Sequence, residues 1–536
     1  MVYINSGKII QIFFLMLFLA NLIFSQSLTI KEAMEHPDGC TTITVGKLAS
    51  YDGSVMTSHT MDGHKDRTDV TIVPARVYPE GATRLVHKKV LDTTAVMKRW
   101  EFTPAGEIPQ VSKTYGYINS IIRCINDQQF AMGESTFGGR ESLQSDNGLI
   151  QYEEFSAIIM ERAATAREAI KIAGEITEKY GWIDGGECYT FADPKEVWQF
   201  EIVGPGKGNK GSIWAAQRIP DDHVGVNANA SRIMEIDLDN PDYFMASDNI
   251  FQVAIDSGWW NPDKEPFRFC YAYDPDGRKS LSSRRREWRV LSMVAPSLNL
   301  GPDDETYPFS VKPDTAVTLD KMITMFRDYY EGTEFNPVKY ITWQNSEGKY
   351  EISPLANPFM PYDMLPLFKV NGGWGRLGER TIARWYTTYG TIIQLRDWLP
   401  NEIGGVVWFA WDNIATSVYV PLYAGITDVP DSYKVCGRKT GFSRDSAWWA
   451  FNRLSTLTAQ RWGDMRNDVT SVWDKYQREL FNNQANFENE ILTMMKTDKN
   501  AAIKKLTGYS KDHAAEVVKK AWELGDHLWT KYDEKW

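Results

Sequence analysis

Alternation of polar and apolar side chains is clearest over residues 197–203, where Val197, Gln199 and Glu201 share one face and Trp198, Phe200 and Ile202 the other. A period of two is that of a strand. Residues 188–192 precede it across Asp193-Pro194, so the pair predicts a β-hairpin. Further strands are predicted over 212–218 and 224–229. Earlier, residues 42–49 and 55–60 are rich in β-branched side chains and flank Asp52-Gly53, a second hairpin signal. A turn centred on 51–53 makes paired residue numbers sum to about 103–105, which sets Cys40 opposite 63–65 with Asp62 close by. Between the hairpins, Ile159, Ala163, Ala166, Ile170 and Ala173 recur at helical spacing and predict one helix over 156–180, stopped by Gly181. Stripes at Val469, Val472, Tyr476 and Leu480, and at Val517, Ala521, Leu524 and Leu528, predict a helical tail packed on the main body. Helices alternating with consecutive antiparallel strands predict an α+β fold in layers.

Ahead of these elements lies an apolar run from Ile9 to Phe24, broken only by Gln11 and Asn21 and flanked by Lys8. It reads as a signal peptide over 1–25, cut near Ser25-Gln26-Ser27. It is shorter than the roughly 20 residues a spanning helix needs. Residues 26–39 are short, polar and end in Pro37-Asp38-Gly39, as a pro-segment would. Residues 40–430 form the main α/β region and 431–536 a helix-rich extension. The expectation is an exported protein, periplasmic or extracellular, with no membrane association after signal cleavage. Cys40 lies well past the apolar core, which disfavours lipidation there.

Composition narrows the classes. Of 536 residues 43% are apolar, enough for a sizeable core. The net charge of −11 argues against nucleic acid as a partner. The densest basic run, Arg284-Arg285-Arg286, is too short for a polyanion groove. Five cysteines, at 40, 124, 188, 270 and 436, include no CxxC, and an odd count leaves at least one thiol free or paired between chains. His59 and His64 lack metal-ligand spacing, so no metal and no cofactor is expected. The GxGxxG match at 206–211 precedes a strand-like run and reads as a glycine-rich turn, not a phosphate loop. Asn229-Ala230-Ser231 is a formal glycosylation sequon, but a different task is favoured for Asn229.

Three stretches then fall into order. The run from Cys40 through Gly46-Lys47, Ala49-Ser50 and Asp52-Gly53-Ser54 resembles the mature start of the cysteine dipeptidases of the N-terminal-nucleophile (Ntn) hydrolase superfamily, relatives of secernin. Ile125-Asn126-Asp127 with Ala131 to Arg140, and Ala228-Asn229 with Arg232-Ile233, resemble two further stretches of that family. The resemblance runs from Cys40 to roughly residue 430.

It implies an αββα sandwich, two stacked antiparallel sheets between helical layers, with a helical C-terminal extension. It implies hydrolysis of dipeptides or short peptides. Cys40 would be the nucleophile, Asp62 the acid holding the N-terminal amine, and Asn126 and Asn229 oxyanion-hole positions. Related acylases carry Arg-Asn-x-Asp where this chain has His59-Thr60-Met61-Asp62, so a histidine stands in the usual arginine's place. One of Arg284 to Arg286 matches another active-site arginine of the acylases, with the register left open. The chemistry requires cleavage of Gly39–Cys40, which puts a thiol and an α-amine base on one residue. The alternatives are an acylase cleaving non-peptide amides such as penicillin V or bile-acid conjugates, a secreted binding protein using the aromatic-rich surface, and a lipid-anchored surface protein. The oligomeric state is left open, a homo-oligomer among the options.

Overall fold

The computed structural model describes residues 39–339, 341–358 and 380–534. The apolar run and residues 26–38 lie outside them. Two antiparallel sheets organise the chain. The larger has seven strands, β1 (Gly39–Val45), β2 (Val55–Asp62), β7 (Val224–Asn227), β9 (Ser310–Val311), β10 (Thr387–Leu395), β11 (Val406–Trp411) and β12 (Val420–Tyr423), in the order β9-β7-β1-β2-β10-β11-β12. The smaller has five, β3 (Ala131–Gly138), β4 (Gly186–Ala192), β5 (Val197–Val203), β6 (Ile213–Ile219) and β8 (Phe244–Ala246), in the order β8-β6-β5-β4-β3. β3 lies against β1 and β2, so the sheets meet at the chain's first described residues.

Helices α1 (Tyr152–Arg162) and α2 (Ala166–Tyr180) pack on the smaller sheet. An aromatic cluster of Phe155, Phe191, Phe200 and Trp214 joins α1 to it. Helix α3 (Leu281–Val294) packs on β7, while α4 (Ala447–Gln460) and α6 (Lys499–Lys531), with α5 (Trp462–Met495) between them, cover the β11–β12 side of the larger sheet. Val469, Leu480, Val517 and Leu528 from the helical tail belong to the same hydrophobic core as the sheets. The fold is therefore mixed α/β with antiparallel sheets and a helical C-terminal region. Among the described residues no helix is long and apolar enough to cross a membrane.

The β4–β5 hairpin forms as the alternation predicts, with Ala192 opposite Val197. Two expectations need correction. The predicted single helix over 156–180 is two helices, because Thr165 caps α2 by accepting from the Glu168 N–H, while Ala163 ends α1. The first hairpin has a different register. Cys40 pairs with Met61 and Gly39 with Asp62, so paired numbers sum to 101, not 103–105. The strands stop at Val45 and start again at Val55, because residues 46–51 turn away to bond elsewhere: the Gly46 N–H to His223, Leu48 to Asp221 and Tyr51 to Val317.

Candidate active site

Cys40 is the second residue of β1. Met61 opposes it, and His59 lies two residues further along β2, so all three point to one face of the sheet. That face meets β3 at close range. A side chain on Gly133 would come within 2.3 Å of the Ser58 carbonyl oxygen, so glycine is what lets the two backbones approach. The next residue, Glu134, is thereby set beside the sulfur. The Cys40 thiol donates to Glu134 Oε2 at 3.3 Å. His59 Nδ1 lies 2.8 Å from the Glu134 carbonyl oxygen, which fixes the ring. Its Nε2 is buried without a hydrogen-bond partner. Burial lowers the His59 pKa, so the imidazole is neutral near pH 7.

The backbone flanking Cys40 is held on both sides. β7 pairs with β1 only as far as Asn227 opposite Thr42. Beyond that point the chain turns at Asn229, whose φ of 62° is left-handed. Arg286, on α3, takes over where the ladder ends. Its Nη1 donates to the Cys40 carbonyl (2.8 Å) and Thr41 Oγ1 (2.9 Å), and its Nη2 to the Ala228 carbonyl and Asn229 Oδ1 (both 2.9 Å). Burial and the neighbouring Arg380 bring the Arg286 pKa down to about 9, which still leaves the side chain charged at neutral pH. Asn229 is fixed further by its Nδ2–H to the Thr136 carbonyl (2.7 Å) and its backbone N–H to Ser135 Oγ (2.9 Å).

On the other side, Arg380 Nη2 donates to the Gly39 carbonyl oxygen (3.1 Å) and to Asp62 Oδ2 (2.5 Å). Thr387 Oγ1 donates to Asp62 Oδ1 at 2.6 Å. The carbonyl that precedes the cysteine thus sits on a guanidinium. Gly39 itself packs against Asn229: a Cβ there would lie 2.6 Å from Asn229 Oδ1.

With residue 39 attached, burial pushes the Cys40 thiol well above its usual range, and the charges of Glu134 and Asp62 push it further; the Asp62 backbone N–H opposes them. The sulfur stays protonated in this form, and no α-amine is present to take its proton.

The model of Peptidase family C69 matches residues 39–475, opening one residue before Cys40. The chain belongs to peptidase family C69. This is the cysteine-dipeptidase family whose motifs start at Cys40, and the chain is accordingly a cysteine-type peptidase. Among curated proteins, the "Probable dipeptidase" of Latilactobacillus sakei is 24% identical over 440 residues, spanning 79% of this chain and 82% of that one. "Probable dipeptidase B" of Lactococcus lactis is 25% identical over 438 residues, 80% and 82% of the two chains. "Dipeptidase A" of Lactobacillus helveticus is 23% identical over 428 residues, 78% and 81%.

Within this C69 peptidase, Cys40, Asp62 and Asn229 gather around the Gly39–Cys40 bond. Asn126 does not join them. Its Nδ2 donates both hydrogens, to the Met160 (2.9 Å) and Ala163 (2.8 Å) carbonyls at the end of α1, and Oδ1 accepts from the Gln128 and Phe130 N–H groups. Its backbone N–H bonds the Phe130 carbonyl, and that of Asp127 the Gly116 carbonyl. Asn126 closes the helix break, and neither its side chain nor the adjoining backbone has an N–H left for an oxyanion. Of the three consecutive arginines, Arg286 reaches Cys40, whereas Arg284 and Arg285 bond the loop at 302–304. Glu134 and Arg380 escape the sequence reading. Glu134 lies inside the quoted Ala131–Arg140 stretch, which was its one available signal. Cys40, His59 and Glu134 place a sulfur, a ring nitrogen and a carboxylate oxygen within 4.8 Å of one another, a set able to hold a metal ion. The other cysteines form no disulfides: Cys124, Cys188 and Cys270 are buried and Cys436 half-buried.

Proposed function

We propose that this C69 peptidase is an exported dipeptidase of the Ntn-hydrolase type, its two facing sheets forming the αββα sandwich of that superfamily. Removal of everything before Cys40 gives the active form. The observation that carries the reading is the setting of the Gly39–Cys40 bond: its carbonyl rests on Arg380, its α-carbon against Asn229, and the sulfur lies on the next residue. The names of the relatives support a dipeptide substrate.

In the active form the Cys40 α-amine takes the thiol proton, and the thiolate attacks the carbonyl carbon of a dipeptide. An unperturbed α-amine titrates near ~7.7–8.0, so it is part base at neutral pH. Asp62, opposite the vacated position, holds the amine in place. The oxyanion forms where residue 39 had been. Asn229 Nδ2 has a second N–H beside that space, and Arg380 Nη2 loses its acceptor there, so both are donors for the developing charge. One such donor is worth roughly 3–4 kcal/mol in acyl transfer. Collapse breaks the C–N bond, and the ammonium returns its proton to the leaving amine. Water, with the amine again as base, hydrolyses the thioester and restores the thiol. Cys40→Ala removes the nucleophile alone, and we expect dipeptide hydrolysis to vanish with an unchanged circular dichroism spectrum. Persisting turnover sinks the assignment. An acylase of the same superfamily is the alternative, and it predicts preference for N-acylated substrates over free dipeptides.

A further inference from the structure

A carboxylate 3.3 Å from a nucleophilic sulfur is a liability, because it opposes thiolate formation. Glu134 is 1% exposed, and among the described residues no lysine or arginine forms an ion pair with it. Its Oε1 lies 3.0 Å from Thr136 Oγ1, which is also 3.0 Å from Glu187 Oε1. One hydroxyl proton cannot serve two carboxylates. Burial and the charge of Glu134 push the Glu187 carboxyl well up, which favours the arrangement in which Glu187 donates to Thr136 and Thr136 donates to Glu134. Thr136 thus sits on Oε1, and among the described residues Oε2 is bonded only by the Cys40 thiol.

Resting on the dipeptidase reading, we propose that Glu134 is the specificity residue for the substrate's free α-ammonium. In a dipeptide the ammonium nitrogen is two bonds from the carbonyl carbon that is attacked, about 2.5 Å away. The sulfur approaches that carbon at about 3–3.5 Å. The ammonium therefore falls within about 6 Å of Cys40 Sγ, inside the reach of a carboxylate already touching the sulfur. Asp62 is already committed: its oxygens accept from Arg380 and Thr387 and, in the active form, it holds the Cys40 amine. Substrate binding then relieves the liability: the ammonium pairs with Glu134 and the thiol gives up its proton more readily. An N-acylated substrate has no charge to offer and leaves a buried carboxylate unpaired, which costs both affinity and thiolate.

The test compares one dipeptide with its N-acetyl derivative on wild type and Glu134→Gln. Intact mass must first establish that both proteins begin at Cys40; if the variant retains earlier residues, a protease site placed before Cys40 supplies the same N-terminus. Wild type should favour the free dipeptide in kcat/KM by about 100-fold or more. In Glu134→Gln the free dipeptide should lose about that factor, mostly in KM, while the N-acetyl compound holds or gains. A variant that keeps the free-amine preference overturns the role of Glu134 and leaves the dipeptidase reading standing. A wild type that hydrolyses only the N-acetyl compound, or neither, overturns that reading and this inference with it.

Discussion

Replacing Gly39 by alanine tests the packing around the Gly39–Cys40 bond, whose cleavage is proposed. The added Cβ would lie 2.6 Å from Asn229 Oδ1, 3.1 Å from its Cγ and 3.3 Å from its Nδ2. The first distance requires movement. Asn229 cannot readily swing aside, because Arg286 Nη2 holds Oδ1, Thr136 accepts from Nδ2, and the residue sits at a positive φ. Gly39 cannot retreat without giving up Arg380 and its pairing with Asp62. Overpacking by one methyl in a site that cannot relax costs about 1–3 kcal/mol. The expected result is a lower urea midpoint with an unchanged slope for Gly39→Ala in the uncleaved chain. The assay uses a Cys40→Ala background, with intact mass establishing that residue 39 is present. A cleaved chain cannot register the substitution at all, so the effect belongs to the precursor alone. An unchanged midpoint would refute the claim that Asn229 is fixed against residue 39.

Other consequences follow from the same contacts. Arg380→Leu strands the fully buried Asp62 without its partner and should cost about 3–5 kcal/mol, read as a fall in melting temperature. The uncleaved chain should resist iodoacetamide at Cys40 even near pH 8.5, because the raised thiol pKa keeps the thiolate scarce until far higher pH; the cleaved chain should be alkylated readily, and mass spectrometry distinguishes the two. Burial alone would raise the Glu287 carboxyl, but Arg232 and Arg278 outweigh it and bring it down to about 2. A depressed carboxylate stabilises the fold above its unfolded pKa near ~4.3, and that stability is lost as pH falls through about 2; Glu287→Gln should remove this acid-dependent step in a pH-resolved denaturation series.

Much of this site was legible in the sequence, and the boundary has a physical cause. Strand alternation placed the β4–β5 hairpin, and the glycines at 206, 208 and 211, all at positive φ before β6, behave as a turn. Both tail stripes lie on α5 and α6. The strands that carry Cys40 and Asp62 are legible, but not their register, since Gly46, Leu48 and Tyr51 are positioned by distant partners, while Ser54 bonds back to Asp52 within the turn. The groups that surround the sulfur come from far along the chain. Glu134 is 94 residues from Cys40, Arg286 is 246, and Arg380 is 341 from Gly39. No local pattern encodes such approaches. The family motifs reached Glu134 only as one letter within a longer stretch. Asn126 shows the converse: the motif marked the position, and its bonds to α1 give it a bracing task that spacing could not reveal.

The central claim is that one residue supplies both sulfur and amine. Purified, catalytically active protein should be sequenced from its N-terminus and weighed intact, before and after labelling with a thiol reagent. The account predicts a first residue of Cys40 and loss of activity in step with one label on that residue. A fully active protein that still carries Gly39 would contradict it.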